Sequence, residues 1–308
     1  MVTGRAITAV LLGVLSWTGV PAIAATAPLS HARIVAHFDL AAGQLPESAV
    51  PAPLGAVDVV FAVSRQVARI SADGTTRVLA TLPAPVEPVG GFSIASGLVR
   101  SWDGTFYIAY AAGTADLTGV WRVRPGGNPE RIAALPAAGL PNGMDVDPRT
   151  GDLYVADSAL SVIWRVPAEG GDPVAWARGA ELSPTGSLGV NGLKIHNGAV
   201  WATNTDQGTL LRIPLRGNGK ITVKARGLAG ADDFAFIDRR DTALVALNGS
   251  NQVVLVEPDG SHSVVLDGQD GLQGPSTVVV RGRSAYVASA AFVRQHDPNL
   301  LVADLGKP

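Results

Sequence analysis

Four side chains with oxygen donors recur at wide intervals along this chain of 308 residues. They are Glu47, Asn142, Asn191 and Asp233. Carboxylate and amide oxygens are preferred ligands of hard divalent cations, and two carboxylates would offset the charge of one such ion. The donor types alone leave the ion open among calcium, zinc, manganese and magnesium. Because these residues are far apart along the chain, they can share an ion only if a repeated fold brings them together.

Other catalytic chemistries find little support in the sequence. The chain has no cysteine, which excludes disulfides, thiolate metal sites and cysteine nucleophiles. Its histidines form no pair at metal-ligand spacing, and no Gly-x-Ser-x-Gly motif is present to carry a nucleophilic serine. A formal net charge of −2, with scattered Lys and Arg, gives no sign of a nucleic-acid partner.

A repeated strand pattern supplies the elements that would position the four oxygen donors. A short apolar-Arg-apolar strand surrounds Arg69, Arg122, Arg165 and Arg212, and weaker copies surround Leu255 and Val302. Successive copies lie 43 to 53 residues apart, the length that a four-stranded propeller blade needs. Turn residues separate the strands, and no stretch shows a sustained helical period. The pattern therefore predicts an all-β fold of six four-stranded blades.

The two ends of the chain predict how a ring would close. The last copy stops after its third strand, at residues 300–305, and an orphan strand at residues 33–40 resembles the fourth strand of the other copies. We expect this N-terminal strand to complete the last blade of a six-bladed β-propeller. A β-sandwich or an open repeat array is the alternative, but the closed ring leaves no exposed sheet edges.

The first residues are typical of an export signal. Arg5 precedes an apolar stretch from Ala6 to about Val20, and Ala22-Ile23-Ala24 forms a small-x-small pattern before a cut near Ala25. We expect removal of residues 1–24, leaving residues 25–308 as one secreted, extracellular propeller domain without a membrane partner. An uncleaved membrane anchor is the alternative, for which the apolar run is short.

The repeat register places six polar residues at one end of the central channel. Each opens an inner strand, and they are Glu47, Ser96, Asn142, Asn191, Asp233 and Ser276. Structural roles are the alternative, because Asn142 and Asn191 could cap turns and Glu47 could be a solvated charge. A buried carboxylate without a cation would be costly, which favours a metal site.

The sequence resembles a known family. Segments 142–147, 153–158 and 191–193 are similar to the senescence marker protein, gluconolactonase and luciferin-regenerating enzyme family of calcium-dependent six-bladed propellers. The resemblance extends over roughly residues 33–305. It implies that Glu47, Asn142, Asn191 and Asp233 hold the metal. The family usually has Asp-Gly in the fifth blade, whereas this chain has Asp232-Asp233-Phe234, so Asp232 is an alternative ligand. Leu140 also stands where the family's lactonases often carry Arg.

The resemblance implies metal-assisted hydrolysis of a small lactone or ester, with Asp233 as metal ligand and general base. Candidate contacts with a small-molecule substrate at the same mouth are Arg65, Ser96, Asn204, Asp206 and Ser276. Two alternatives stay open: a non-catalytic propeller that binds a ligand or protein with a structural metal ion, and a lyase acting on a cyclic ester. The sequence leaves the oligomeric state open, and fold alone does not decide among these functions.

Overall fold

A computed structural model describes residues 28–88, 91, 93–217 and 219–306, which form six antiparallel sheets of four strands each. The innermost strands of neighbouring sheets contact one another around a closed ring, so each sheet is one blade of a propeller. The described residues contain no α-helix, and their helical segments are short 3-10 turns, such as Pro53–Gly55, Ala180–Leu182 and Gly268–Asp270. The predicted six-bladed β-propeller is confirmed.

Every blade runs from an inner strand at the channel to an outer strand at the perimeter. The inner strands are β2 (Pro46–Pro51), β6 (Ile94–Arg100), β10 (Pro141–Val146), β14 (Val190–His196), β18 (Ala231–Phe236) and β22 (Pro275–Arg281). The second strands are β3 (Val57–Phe61), β7 (Phe106–Ala111), β11 (Leu153–Asp157), β15 (Ala199–Asn204), β19 (Ala243–Leu247) and β23 (Ser284–Ser289). The third strands are β4 (Gln66–Ile70), β8 (Gly119–Val123), β12 (Val162–Val166), β16 (Thr209–Pro214), β20 (Gln252–Val256) and β24 (Asn299–Leu305). The outer strands are β5 (Thr76–Thr81), β9 (Glu130–Ala134), β13 (Val174–Arg178), β17 (Thr222–Ala225), β21 (His262–Leu266) and β1 (Leu29–His37).

The N-terminal strand closes the ring, as predicted. Strand β1 pairs with β24, the third strand of the last blade, from Leu29 opposite Leu305 to His37 opposite Asn299. The strand begins at Leu29 rather than at residue 33. The predicted export signal lies outside the described residues and stays a prediction. None of the helical segments that the structure describes is long and apolar enough to span a bilayer.

The core consists of apolar clusters between blades. In one such cluster, Val60 and Val67 of the first blade pack with Ile108 and Trp121 of the second. Trp201 lies in the equivalent cluster between the fourth and fifth blades. Burying an aliphatic or aromatic side chain of this size contributes about 1.5–3 kcal/mol. The repeated aromatic residues therefore hold the blades together, and the inner strands they support form a fixed frame for the channel.

Candidate metal centre at the channel mouth

A bulge near the first residue of each inner strand decides which side chain occupies the channel mouth. The bulges of the third, fourth and fifth blades comprise Asn142 and Gly143, Asn191 and Gly192, and Asp232 and Asp233. Asp232 is therefore the structural equivalent of the two asparagines, whereas Asp233 takes the place of the glycines. Together with Glu47, which forms the bulge of the first blade, these residues make a mouth ring of Glu47, Asn142, Asn191 and Asp232.

Close packing of the inner strands explains the glycine that follows each ring asparagine. A Cβ on Gly143 would lie 2.4 Å from the carbonyl oxygen of Asn191, and one on Gly192 would lie 2.6 Å from that of Asp232. Both asparagines lie inside strands rather than in turns. The Asn-Gly pairs thus serve the contact between blades, and the asparagine side chains are left available for other partners.

Hydroxyl groups fix the orientation of the two ring amides. Asn142 Nδ2 donates to Ser158 Oγ at 3.3 Å, and Asn191 Nδ2 donates to Thr205 Oγ1 at 2.9 Å. Each hydroxyl donates its own proton to a carbonyl oxygen of the next blade, so it can only accept from the amide. The Thr205 hydroxyl therefore has no proton left for Asn191 Oδ1, and this oxygen is buried without a hydrogen-bond partner. An unpaired buried acceptor of this kind is costly unless a ligand binds it.

The ring carboxylates are buried close to like charges. Glu47 and Asp232 are 8% and 7% exposed, and Glu47 Oε2 is buried without a hydrogen-bond partner. Burial first, and the negative charge of Asp233 second, raise the pKa of Glu47 from 4.5 to about 8. Burial, followed by the charges of Glu47 and Asp233, raises the pKa of Asp232 well above its usual value. A divalent cation would remove both penalties.

The donor chemistry of the mouth ring fits a hard cation. Among the residues that the structure describes, no group of three or more His, Asp or Glu side chains is arranged to hold a metal ion. The ring instead combines two carboxylates with two amides. Its unpaired atoms, Glu47 Oε2 and Asn191 Oδ1, are both oxygens, which hard divalent ions prefer.

Asp233, the predicted ligand and general base, has a different environment below the ring. Lys194 Nζ lies 2.6 Å from both of its carboxylate oxygens, and Thr277 Oγ1 donates to one of them at 2.9 Å. These contacts link the fourth, fifth and sixth blades. Asp233 therefore has a cation supplied by the chain itself. We call Lys194, Asp233 and Thr277 the paired layer.

The sequence reasoning did not identify Lys194. Its signal was a lysine within the inner strand β14, two residues after the Asn191-Gly192 motif. A charged residue in an inner strand must enter the channel or its lining. Beyond Lys194 the channel widens into a cavity of about 370 Å³ at the end opposite the mouth, where Asp145, His196 and mainly aliphatic residues form the wall.

The serines predicted as substrate contacts belong to a belt of hydrogen bonds between blades. Ser96 Oγ donates to Pro141 O at 2.7 Å, and Ser276 Oγ donates to Pro46 O at 2.7 Å. Both side chains are fully buried. Ser158, Thr205 and Asn248 make the corresponding bonds between other neighbouring blades. The serine hydroxyls are thus committed to backbone carbonyls, and their contact with a substrate stays a prediction.

The other predicted substrate contacts are Asn204, at the end of β15, Asp206, in the turn that follows it, and Arg65. Asn204 and Asp206 have hydrogen-bond partners of their own. Asn204 is fully buried, donates to the carbonyls of Glu181 and Ser183, and accepts from the Gln207 amide. Asp206 Oδ2 accepts from the backbone of Gly186 and Leu188 at 2.6 and 3.1 Å. Both side chains therefore shape the loop that precedes β14.

Arg65 lies in the turn between β3 and β4, and its Nη1 donates to Val63 O at 3.0 Å. Unlike Asn204 and Asp206, it keeps an unpaired donor, because its Nε is buried without a partner. A substrate role for Arg65, Asn204 and Asp206 stays a prediction.

Comparison with known proteins supports the fold. No family model matches the chain, and no curated protein matches its sequence. Among solved structures, regucalcin from Agrobacterium tumefaciens strain C58, described as a calcium-binding protein, is 18% identical with a TM-score of 0.66; the match covers 90% of this chain and 96% of that one. A candidate gluconolactonase is 18% identical with a TM-score of 0.63 and coverage of 90% and 92%.

A third match carries a different activity. Virginiamycin B lyase from Staphylococcus aureus is 15% identical with a TM-score of 0.63, and the match covers 90% of this chain and 100% of that one. The regucalcin and gluconolactonase structures have the six-bladed fold of the family that the sequence resembles. At these identities the similarity establishes the fold, and the function must be argued from the mouth ring.

Proposed function

We propose that the chain is a divalent-cation-dependent hydrolase of a small lactone or ester, with its site at the mouth ring. The observation that carries this proposal is the pair of buried, unpaired oxygens, Glu47 Oε2 and Asn191 Oδ1, beside the buried carboxylate of Asp232. If the channel were purely structural, we would expect these atoms to have partners, as the Asp233 carboxylate has in the paired layer. Their cost is offset if a cation binds them.

Glu47, Asn142, Asn191 and Asp232 would hold the cation, and calcium is our first candidate because every donor is a hard oxygen. A bound divalent ion supplies Lewis-acid polarisation of an ester carbonyl. Ser158 and Thr205 hold the two amides in a single orientation, so the ring is arranged before any ligand arrives. The similarity to a calcium-binding regucalcin supports the choice of metal.

We also propose that Asp232, rather than Asp233, takes both roles expected of the fifth-blade aspartate. Lys194 contacts both oxygens of Asp233, which leaves that carboxylate poorly placed to accept a proton from water. Asp232 instead has neutral donors beside it: a long hydrogen bond of 3.5 Å from Asn248 Nδ2 and a side-chain hydrogen bond from Asn191. Without an ion, burial and the charges of Glu47 and Asp233 raise the pKa of Asp232. A bound cation would favour its ionised form, which is the form that can accept a proton.

The direct test is hydrolysis of a panel of lactones and esters by protein freed of metal with EDTA and then supplied with calcium, manganese, magnesium or zinc. We expect calcium-dependent turnover that Asp232→Asn and Asn191→Ala each reduce by about 100-fold or more. The exposed Asp172→Asn and Asn128→Ala are matched controls and should retain full activity. Absence of turnover with all four metals would overturn the hydrolase and favour a ligand-binding propeller.

A further inference from the structure

A second cavity lies beside the mouth, at the perimeter of the first blade. It has a volume of about 690 Å³, within the range of small-molecule pockets. Its wall includes Leu40, Leu45, Val63, Arg65 and Phe292, and among the described residues of this wall Arg65 alone is charged. Leu45 comes two residues before Glu47, so this cavity opens at the same end of the propeller as the mouth ring. We call it the rim cavity.

The rim cavity contains polar groups that have no partner. Arg65 Nε and Ser64 Oγ are both buried without a hydrogen bond, although Arg65 Nη1 donates to a backbone carbonyl. No described carboxylate forms an ion pair with Arg65. Arg69, four residues further on, instead donates two hydrogen bonds of 2.7 and 2.8 Å to Asp58. The chain therefore neutralises one arginine of this hairpin and leaves the other unpaired.

Arg65 adopts a backbone conformation that three of the other five blades give to a smaller residue at the same place. Arg65 has a φ of 59° and directly precedes β4. The residues in the same place before β12, β16 and β20 are Ser161, Gly208 and Asn251, with φ values of 56°, 58° and 57°. Gly and Asn tolerate this left-handed conformation, whereas a long side chain adopts it only at a cost. A strained residue kept against local preference is a reason to look for function.

We propose that the rim cavity binds an organic carboxylate with an apolar body. A guanidinium offers several donors in a planar fork that matches a carboxylate, and Ser64 adds a hydroxyl. Leu40, Leu45, Val63 and Phe292 would cover the apolar part. If the mouth ring is the proposed hydrolase site, its substrate would be an ester or lactone that also bears a free carboxylate. Carboxylate binding in the rim cavity does not depend on that function.

The test is titration calorimetry with benzoate and octanoate on metal-free protein in EDTA, with benzamide as the neutral counterpart of benzoate. We expect the parent to bind both carboxylates, and benzamide at least about tenfold more weakly. Arg65→Gln should weaken benzoate binding about tenfold or more, whereas Arg216→Gln, at an exposed arginine of another blade, should leave it unchanged.

A second variant separates binding from folding. Arg65→Asn should abolish carboxylate binding while keeping or raising the melting temperature by about 2 °C, because Asn suits the left-handed turn. Equal affinity for benzoate and benzamide, or unchanged benzoate binding by folded Arg65→Gln, would overturn the proposal. Glu47→Gln should remove calcium binding without affecting benzoate affinity, so failure of the mouth ring and failure of the rim cavity are distinguishable.

Discussion

Asp232 and Asp233 are neighbours in sequence, yet they lie in regions of the channel with opposite electrostatics. Asp233 belongs to the paired layer, where Lys194 contacts both carboxylate oxygens and Thr277 donates a further hydrogen bond. Asp232 belongs to the mouth ring, where the nearby charges of Glu47 and Asp233 are negative. The chain can thus neutralise a buried carboxylate with its own lysine. At the mouth ring no described lysine neutralises the carboxylates, and we infer that a cation from outside the chain supplies the positive charge there.

The largest effect should come from removing a ring carboxylate. Glu47→Gln and Asp232→Asn should each weaken calcium binding by about 100-fold or more, because each removes a charged ligand from a buried site. Asp233→Asn should change calcium affinity by less than about tenfold, since Lys194 already offsets that charge. Titration calorimetry at constant pH measures all three affinities. If Asp233→Asn weakened calcium binding more than Glu47→Gln and Asp232→Asn do, the metal would instead bind in the paired layer.

Breaking the paired layer should instead reduce stability. Lys194→Met leaves Asp233 without its cation, and we expect a loss of about 2 kcal/mol. This value is below that of a fully buried pair because the Lys194 side chain is 26% exposed. Chemical denaturation of the single variants and of Lys194→Met with Asp233→Asn measures the coupling between the two residues. Additive effects would show that the pair contributes no interaction energy.

The pH dependence of stability should reveal the unpaired ring. A raised carboxyl pKa means that the folded protein holds its proton more tightly than the unfolded chain does. Metal-free protein should therefore lose stability as the pH rises from 4.5 towards the Glu47 pKa of about 8. We expect a fall in melting temperature of about 3 °C from pH 5 to pH 8 in EDTA, reversed by calcium. Glu47→Gln should reduce this dependence and leave the part that the raised pKa of Asp232 contributes. An unchanged slope in that variant would contradict the assignment.

The smallest effect concerns the belt of hydrogen bonds. Ser96→Ala or Ser276→Ala should cost about 1 kcal/mol, because each leaves a carbonyl of the next blade with one bond fewer. Ser261→Ala, at an exposed turn, is the control and should change stability by less than about 0.5 kcal/mol. Thermal unfolding measures both. If the serines only join blades, KM for a hydrolysed lactone should stay unchanged, and a rise in KM would restore them as substrate contacts.

The ring of six blades could be predicted from the sequence because the repeat is regular. Arg122, Arg165 and Arg212 lie in third strands of successive blades, as their spacing predicted. The start of β1 was placed four residues late, since Leu29 to Ala32 carry no pattern that separates a strand end from a linker. Local strand signals plus one closure rule were enough for the architecture.

The site was harder to predict, because it depends on register. The choice between Asp232 and Asp233 turns on a one-residue bulge, and a shift of one residue moves a side chain to the other face of a strand. Lys194 was missed because its partner lies on another blade. Ser96 and Ser276 lie near the starts of their inner strands, but their hydrogen bonds to the next blade follow only from three-dimensional packing.

The most direct test of the central claim is anomalous diffraction from crystals soaked in calcium or a lanthanide. We predict one peak at the mouth ring, with oxygens of Glu47, Asn191 and Asp232 at about 2.3–2.6 Å from the ion. A structure without a peak there, or with the ion held by Asp233 in place of Lys194, would contradict the account.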